Sequence, residues 1–130
     1  MSETMMALGE FRFAVDTAAY QELRHSQSWR WQSQERLLRK PAQQFVGAGE
    51  ETLDLSGVIY PHFQGGLQQI EKLRIQASKG EPLLLVDGLG FVWGLWVVIQ
   101  IEEGQSFFQG NGQPLKQTFQ LRLRRYGEDN

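Results

Sequence analysis

The stretch Phe91-Val-Trp-Gly-Leu-Trp-Val-Val-Ile-Gln-Ile101 decides the fold class. It follows the aliphatic segment Leu83-Leu-Leu-Val86 and the turn signal Asp87-Gly88-Leu89-Gly90. β-Branched and aromatic residues dominate, and Phe91, Trp93, Leu95, Val97, Ile99 and Ile101 recur at a period of two. The stretch is therefore predicted to be a long strand entered through a hairpin, with those six side chains on one apolar face. At roughly 3.3 Å per residue such a strand spans about 36 Å, nearly twice the ~17–20 Å of an ordinary strand. A small protein has little use for that span unless neighbouring chains help to cover it.

Working outward, Phe11, Phe13 and Val15 alternate with polar or small residues and predict a first strand, followed by a polar, turn-prone segment from Asp16 to Glu22. Trp29 and Trp31 alternate with Ser28, Arg30 and Gln32 and predict a second strand. Pro41 interrupts the pattern, and Gly47-Ala-Gly49 reads as a turn or loop. Leu53, Leu55 and Ile59 define a half-buried strand ended by Tyr60-Pro61. After Gly65-Gly66, Leu67, Ile70, Leu73, Arg74 and Ala77 recur at helical spacing, with Gln68, Gln69, Glu71, Lys72 and Gln76 on the other side. Lys79-Gly80 and Pro82 supply the stop. A second hairpin runs from Ser106-Phe-Phe108 through Gly110-Asn-Gly-Gln-Pro114 into a last strand over residues 118–126, where Phe119, Leu121 and Leu123 share a face. Six or seven strands and one helix predict a β-dominated α+β protein, an antiparallel β-sandwich or open barrel carrying one amphipathic helix. Residues 1–130 read as a single domain.

Composition narrows the function. Thirteen Lys and Arg against fifteen Asp and Glu leave a net charge of −2, which offers no general attraction to a phosphate backbone, so nucleic acid is not an expected partner. The chain has no cysteine, which removes thiolate nucleophiles, disulfides and Cys-based zinc sites. His25 and His62 stand alone, without the ligand spacing of a metal site. No serine lies in a Gly-x-Ser-x-Gly elbow. Glu50-Glu51, Glu102-Glu103 and Glu128-Asp129 read as solvated turns rather than acid/base pairs, because neighbouring residues on a strand point to opposite faces. Gly88-x-Gly90-x-x-x-Gly94 lacks the dinucleotide spacing and precedes a strand. We therefore expect no enzyme, no cofactor and no bound metal. The N-terminus has no signal-peptide pattern and no run is long enough to span a membrane, which predicts a protein held in the cytoplasm until it is released.

Two features suit binding. Trp29-Arg30-Trp31 places two indoles on one side of a strand, where they could stack on bases or sugars; the more economical reading is two core tryptophans. Arg122, Arg124 and Arg125 near the end of the last strand form either a charged face that suppresses edge aggregation or a contact to acidic loops of a neighbouring subunit.

Several segments carry a family resemblance: Met6-Ala-Leu-Gly-x-Phe-x-Phe13, Tyr20-x-x-Leu23, Trp29-x-Trp31, Arg39-Lys-Pro-Ala-x-Gln-Phe-x-Gly47, Leu55-Ser-Gly-Val-Ile-Tyr-Pro61, Gly65-Gly66 and Gly88-x-Gly90. In this order the chain resembles the GpU tail proteins of contractile-tailed phages and R-type pyocins. The resemblance implies a structural component of the virion or bacteriocin particle, similar in fold to tail-tube subunits. It further implies a homo-oligomeric ring of six copies near the baseplate, with tail-tube subunits and the baseplate hub as partners. Arg122, Arg124, Arg125, Trp29 and Trp31 are then the expected subunit-interface residues. A rival reading is a small β-barrel that binds nucleic acid or carbohydrate through Trp29 and Trp31.

Overall fold

Alternation in the sequence becomes one open antiparallel sheet. The computed structural model describes residues 4–14, 19–59, 68–112 and 114–127. The elements are β1 (Thr4–Leu8), β2 (Phe11–Ala14), β3 (Ala19–Arg36), β4 (Arg39–Ile59), α1 (Gln68–Ser78), β5 (Leu83–Asp87), β6 (Val92–Phe108) and β7 (Pro114–Arg125). The seven strands are ordered β2-β1-β5-β6-β7-β4-β3. β2 and β7 are four strands apart, about 19 Å in a flat sheet at the usual strand spacing. The ring of Phe13 nevertheless sits 6.0 Å from that of Phe119. The sheet must therefore roll up, and the result is an open barrel with α1 against its concave side.

The core follows from which face each strand turns inward. Leu53, Leu55 and Ile59 of β4 and Phe119, Leu121 and Leu123 of β7 are buried, as their alternation predicts. Phe11 and Phe13 are buried too, while Val15 lies outside the described residues. β1 was not anticipated, and it contributes Met6 and Leu8 to the same cluster. From α1, Ile70 and Leu73 enter it; Leu67 and Gly65-Gly66 lie outside the described residues. The helix stops as expected: Gly80 takes a positive φ of 69° and its N–H donates to the Ala77 carbonyl at 3.2 Å.

The parity of β6 is corrected. Trp96 is the residue with 0% exposure, and Phe91 is 69% exposed. Two bulges move the inward face. Against β5, Leu85 faces Gly94 and Val86 faces Val92, so Trp93 is an extra residue. Against β7, Val98 faces Leu123 and Gln100 faces Arg122, so Ile99 is an extra residue. Trp93 and Ile101 of the predicted face do pack against the core, but Trp96 and Val98 join them, and the three-residue steps from Trp93 to Trp96 and from Val98 to Ile101 are ones that strict alternation forbids. The strand is also longer than predicted, continuing through Glu102, Glu103 and Gly104 to Phe108. In α1, Gln69 and Gln76, expected on the polar side, are buried, whereas Arg74 is exposed. The side-chain oxygen Oε1 of Gln76 accepts the Glu10 backbone N–H at 3.2 Å, so helix and β1–β2 turn are joined through it.

The β5–β6 turn is built as the Asp87-Gly-Leu-Gly signal requires. The Asp87 carboxylate accepts the Leu89 and Phe91 N–H groups at 2.9 and 3.0 Å and the Trp93 indole N–H at 3.1 Å. These bonds, the indole's first, outweigh partial desolvation and hold its pKa below the ordinary aspartate value.

Candidate interaction surface

β3 and β4 outrun the sheet. β4 pairs with β7 only from Thr52 to Ile59. Beyond that, β3 and β4 pair with each other as far as Arg36 opposite Arg39. The segment expected to hold a turn at Gly47-Ala-Gly49 and a break at Pro41 is thus a continuous strand. Three irregularities absorb those residues, near Gly49–Glu50, at Val46 and at Lys40–Pro41, each adding one residue to β4. A bulge leaves a residue unpaired, which is where glycine and proline are tolerated in a strand. Likewise the segment expected to be a turn up to Glu22 is already strand from Ala19.

The result is an arm. Ten residues of β3, Gln27–Arg36, extend beyond the Ser26–Thr52–Arg124 row, a reach of about 33 Å. Its tip is the two-residue loop Leu37-Leu38, where Leu38 is 96% exposed and adopts φ of 60°, a region costly for a side chain of that size. Arg36 closes the loop with two donors to the Lys40 carbonyl at 3.1 and 3.0 Å.

Trp29 and Trp31 lie on this arm, 57% and 58% exposed, so the expectation of two core tryptophans is corrected. The reason is tertiary. From Glu22 onward β3 alternates without a bulge of its own, so Leu23, His25, Gln27, Trp29 and Trp31 share one face. At His25 that face meets the core, where the imidazole sits 5.3 Å from the Trp93 ring and 6.1 Å from the Trp96 ring. At Trp29 and Trp31 the same face has left the sheet behind. Phe45 joins it from β4, edge-on to Trp31 at 4.9 Å. Arg30 and Arg36 fall on the opposite face.

Charge separates arm from body. From its first row, residues 27–51, the arm carries four cations and three acids, net +1, and the other 105 residues carry nine cations and twelve acids, net −3. At the root of the arm, the arginines of β7 are matched. Arg122 meets Asp54 at 2.9 Å, Arg124 meets Glu50 at 2.8 Å and Arg125 meets Glu51 at 3.5 Å. All three candidate arginines therefore have partners within their own chain, across β7 and β4, while remaining about half exposed. The same pairing places Glu50-Glu51 in a strand, not a turn. Glu51 also accepts from His25 Nε2 at 2.7 Å, and the Arg125 guanidinium lies 5.7 Å from the Trp96 ring centre, so the root of the arm is clamped to the body. Among the described residues, none of Arg30, Arg36, Arg39 and Lys40 forms an ion pair.

A second projection leaves the opposite end. The β6–β7 hairpin continues past the last β4 row, Ile59 opposite Gln117, to Phe108 opposite Pro114. There Phe107 and Phe108 are exposed, and Phe107 has φ of 59°. Both non-glycine residues with positive φ among those described are thus large apolar side chains at the two ends of the molecule.

Little else is arranged for chemistry. Among the described residues no group of three His, Asp or Glu could hold a metal ion, and no helix is long and apolar enough to cross a membrane. His62 and Glu128-Asp129 lie outside the described residues. Glu102-Glu103 is in β6, not a turn. Glu103 accepts from Arg74 at 2.7 Å, Gln105 at 2.8 Å and Gln117 at 2.6 Å. A shallow trough of about 430 Å³ on the outer face is floored by the small residues Ser56, Gly104 and Thr118 with Glu102 at its rim, and holds no nucleophile–base pair. The arm was illegible in the sequence because its Gly and Pro residues mimic breaks; the one available signal was Trp29-x-Trp31 flanked by Ser, Arg and Gln.

Comparison with known proteins agrees with a tail component. The profile of the family described as Phage P2 GpU matches residues 9–128. A protein of Halomonas phage phiHAP-1 described as a probable tape measure protein is 31% identical over 126 residues. That alignment covers 95% of this chain and 14% of the phage protein, so the chain spans only a small part of its relative's length.

Proposed function

The chain belongs to the Phage P2 GpU family of phage tail proteins, and from that premise we propose that it is a non-enzymatic ring subunit joining the tail tube to the baseplate hub. One observation carries the reading. Two apolar hairpins project from opposite ends of a single sheet, so the molecule presents unlike contact surfaces rather than one self-complementary patch. Unlike surfaces make head-to-tail contacts, and such contacts close into rings when the rotation permits. Six copies is the number that the resemblance implies. Residues 1–130 act as one unit, assembled in the bacterial cytoplasm and carried in the tail of a virion or of an R-type pyocin. No cofactor or nucleic acid is required. The matching segment of the phiHAP-1 chain supports a position beside a tape measure protein, because two functions joined in one chain in one phage commonly work side by side when separate.

Electron microscopy of purified tails tests this. A tag on the chain is expected at one end of the tube, on the tube axis, with averaged density for six copies. Absence of the protein from purified tails, or a single copy off axis, overturns it.

A further inference from the structure

We propose that His25, Glu51 and Arg125 form a pH-sensitive latch that fixes the direction in which the β3–β4 arm leaves the sheet. The latch belongs to the free chain and goes beyond the ring reading above. A bend is easiest at one level of the arm. Just past the row in which Gln27 faces Glu51, Ser28 alone faces Gly49 and Glu50, and a bulge of this kind interrupts the ladder. β4 has left β7 one residue earlier, at Thr52 opposite Arg124, so β3 and β4 run on from there as a two-stranded ribbon. Side chains at this level therefore set where the ribbon points. A ribbon already held in one direction also loses less freedom when it docks.

The latch lies immediately below the bulge on the inward face. Glu51 Oε2 meets His25 Nε2 of β3 at 2.7 Å, and Oε1 meets Arg125 Nη1 of β7 at 3.5 Å, so one carboxylate of β4 ties both neighbouring strands together. The Glu51 side chain is 18% exposed and that of His25 30%, which leaves water only partial access to screen the pair. Arg125 is seated without help from Glu51. Its guanidinium lies 5.7 Å from the Trp96 ring centre, and a Cβ on Gly94 would come within 2.6 Å of Nη2, so bare β6 backbone forms its floor. Among the described residues, the charged groups facing His25 are Glu51 on β4 and Arg125 on β7, with Asp87 one step removed behind the Trp93 indole. On its own strand Glu22 and Arg24 turn to the other face, beside Asp54 and Arg122. Imidazole is the side chain that changes charge between about pH 8 and 5. Neutral, His25 gives the carboxylate a hydrogen bond; protonated, it sets a full positive charge against the same oxygen, a stronger contact. Arg125 repels that charge, yet each cation keeps its own oxygen and the imidazole is the nearer to Glu51. Acid therefore tightens the latch.

The chain has no cysteine, so a pair can be introduced for spin labels without competing thiols. Leu37→Cys at the tip and Lys72→Cys on the exposed side of α1 report the angle between arm and body as a distribution of label-to-label distances. Pulsed electron paramagnetic resonance is run on the doubly labelled full chain at about pH 8 and about pH 5.5, the lower value still above the ordinary carboxylate range. The distribution is expected to narrow on acidification. His25→Gln keeps a donor without a titratable charge, and Glu51→Gln keeps the shape of the acceptor without its charge. In either variant, shown to be folded by circular dichroism, the breadth is expected to be the same at both pH values. An unchanged or broader distribution in acid for the parent chain overturns the latch. So does acid narrowing that persists in His25→Gln or Glu51→Gln; a response arising at His62, present in every sample, would show itself in that way. None of these readings depends on whether the chain enters tails, so the latch and the ring stand or fall separately.

Discussion

Glu103 shows how one side chain can join three elements. Its carboxylate receives Arg74 from α1, Gln105 from β6 and Gln117 from β7. Partial burial acts to raise its pKa, but hydrogen bonds from Gln105, Arg74 and Gln117 outweigh that and hold it below the ordinary glutamate value of 4.5. A carboxyl group depressed in the folded state contributes stability above its unfolded pKa, and that contribution is lost as pH falls through the lower folded value. Glu103→Gln should therefore lower the urea midpoint at pH 7 and narrow its gap to wild type as pH drops from about 5 towards 3. If the two midpoints fall in parallel, the network is not what couples folding to pH. None of this is visible in Glu102-Glu103-Gly104 as a string, because Arg74 and Gln117 lie 29 and 14 residues away along the chain.

The elements differ in what supports them. Ile70 of α1 is buried in the core cluster, on the inward side shared by Trp96, Val98 and Ile101. Ile70→Ala should cost about 2–5 kcal/mol, as a large-to-small change in a packed core. Trp31→Ala on the arm of the free chain should cost well under about 1 kcal/mol, since the indole has little packing to lose beyond its edge contact with Phe45. Equilibrium denaturation of both variants checks the contrast. An unchanged midpoint for Ile70→Ala would mean that the helix does not lie on the sheet as described. A large loss for Trp31→Ala would mean that the arm belongs to the cooperative core. The bulges decide which side chains matter: a reader counting by two along Val92–Phe108 selects Val97 and Ile99, and the structure selects Trp96 and Val98.

At the scale of the whole molecule, assembly is the property that a single folded chain leaves unfinished. Arg124 pairs with Glu50 at the root of the arm, with both side chains about half in solvent. Arg124→Glu puts two carboxylates face to face there, a modest cost in an exposed pair. The same charge within a subunit contact would cost several kcal/mol. The variant should therefore fold and stay soluble yet fail to enter tails, as read by circular dichroism of the free chain and immunoblotting of purified particles; normal incorporation would remove Arg124 from the interface. The sequence by itself determined the strands whose alternation is unbroken, Leu53–Ile59 and Phe119–Leu123, together with the helix end at Gly80, the Asp87 turn and the family. These depend on local periodicity and local turn chemistry, which neighbours along the chain supply. Only the tertiary structure decided that Trp29 and Trp31 are uncovered, that Gly47 and Pro41 sit inside a strand, and that Arg122, Arg124 and Arg125 meet Asp54, Glu50 and Glu51. Burial and pairing depend on which strands lie alongside. A two-residue period says that a face is apolar, but not where the sheet that covers it comes to an end.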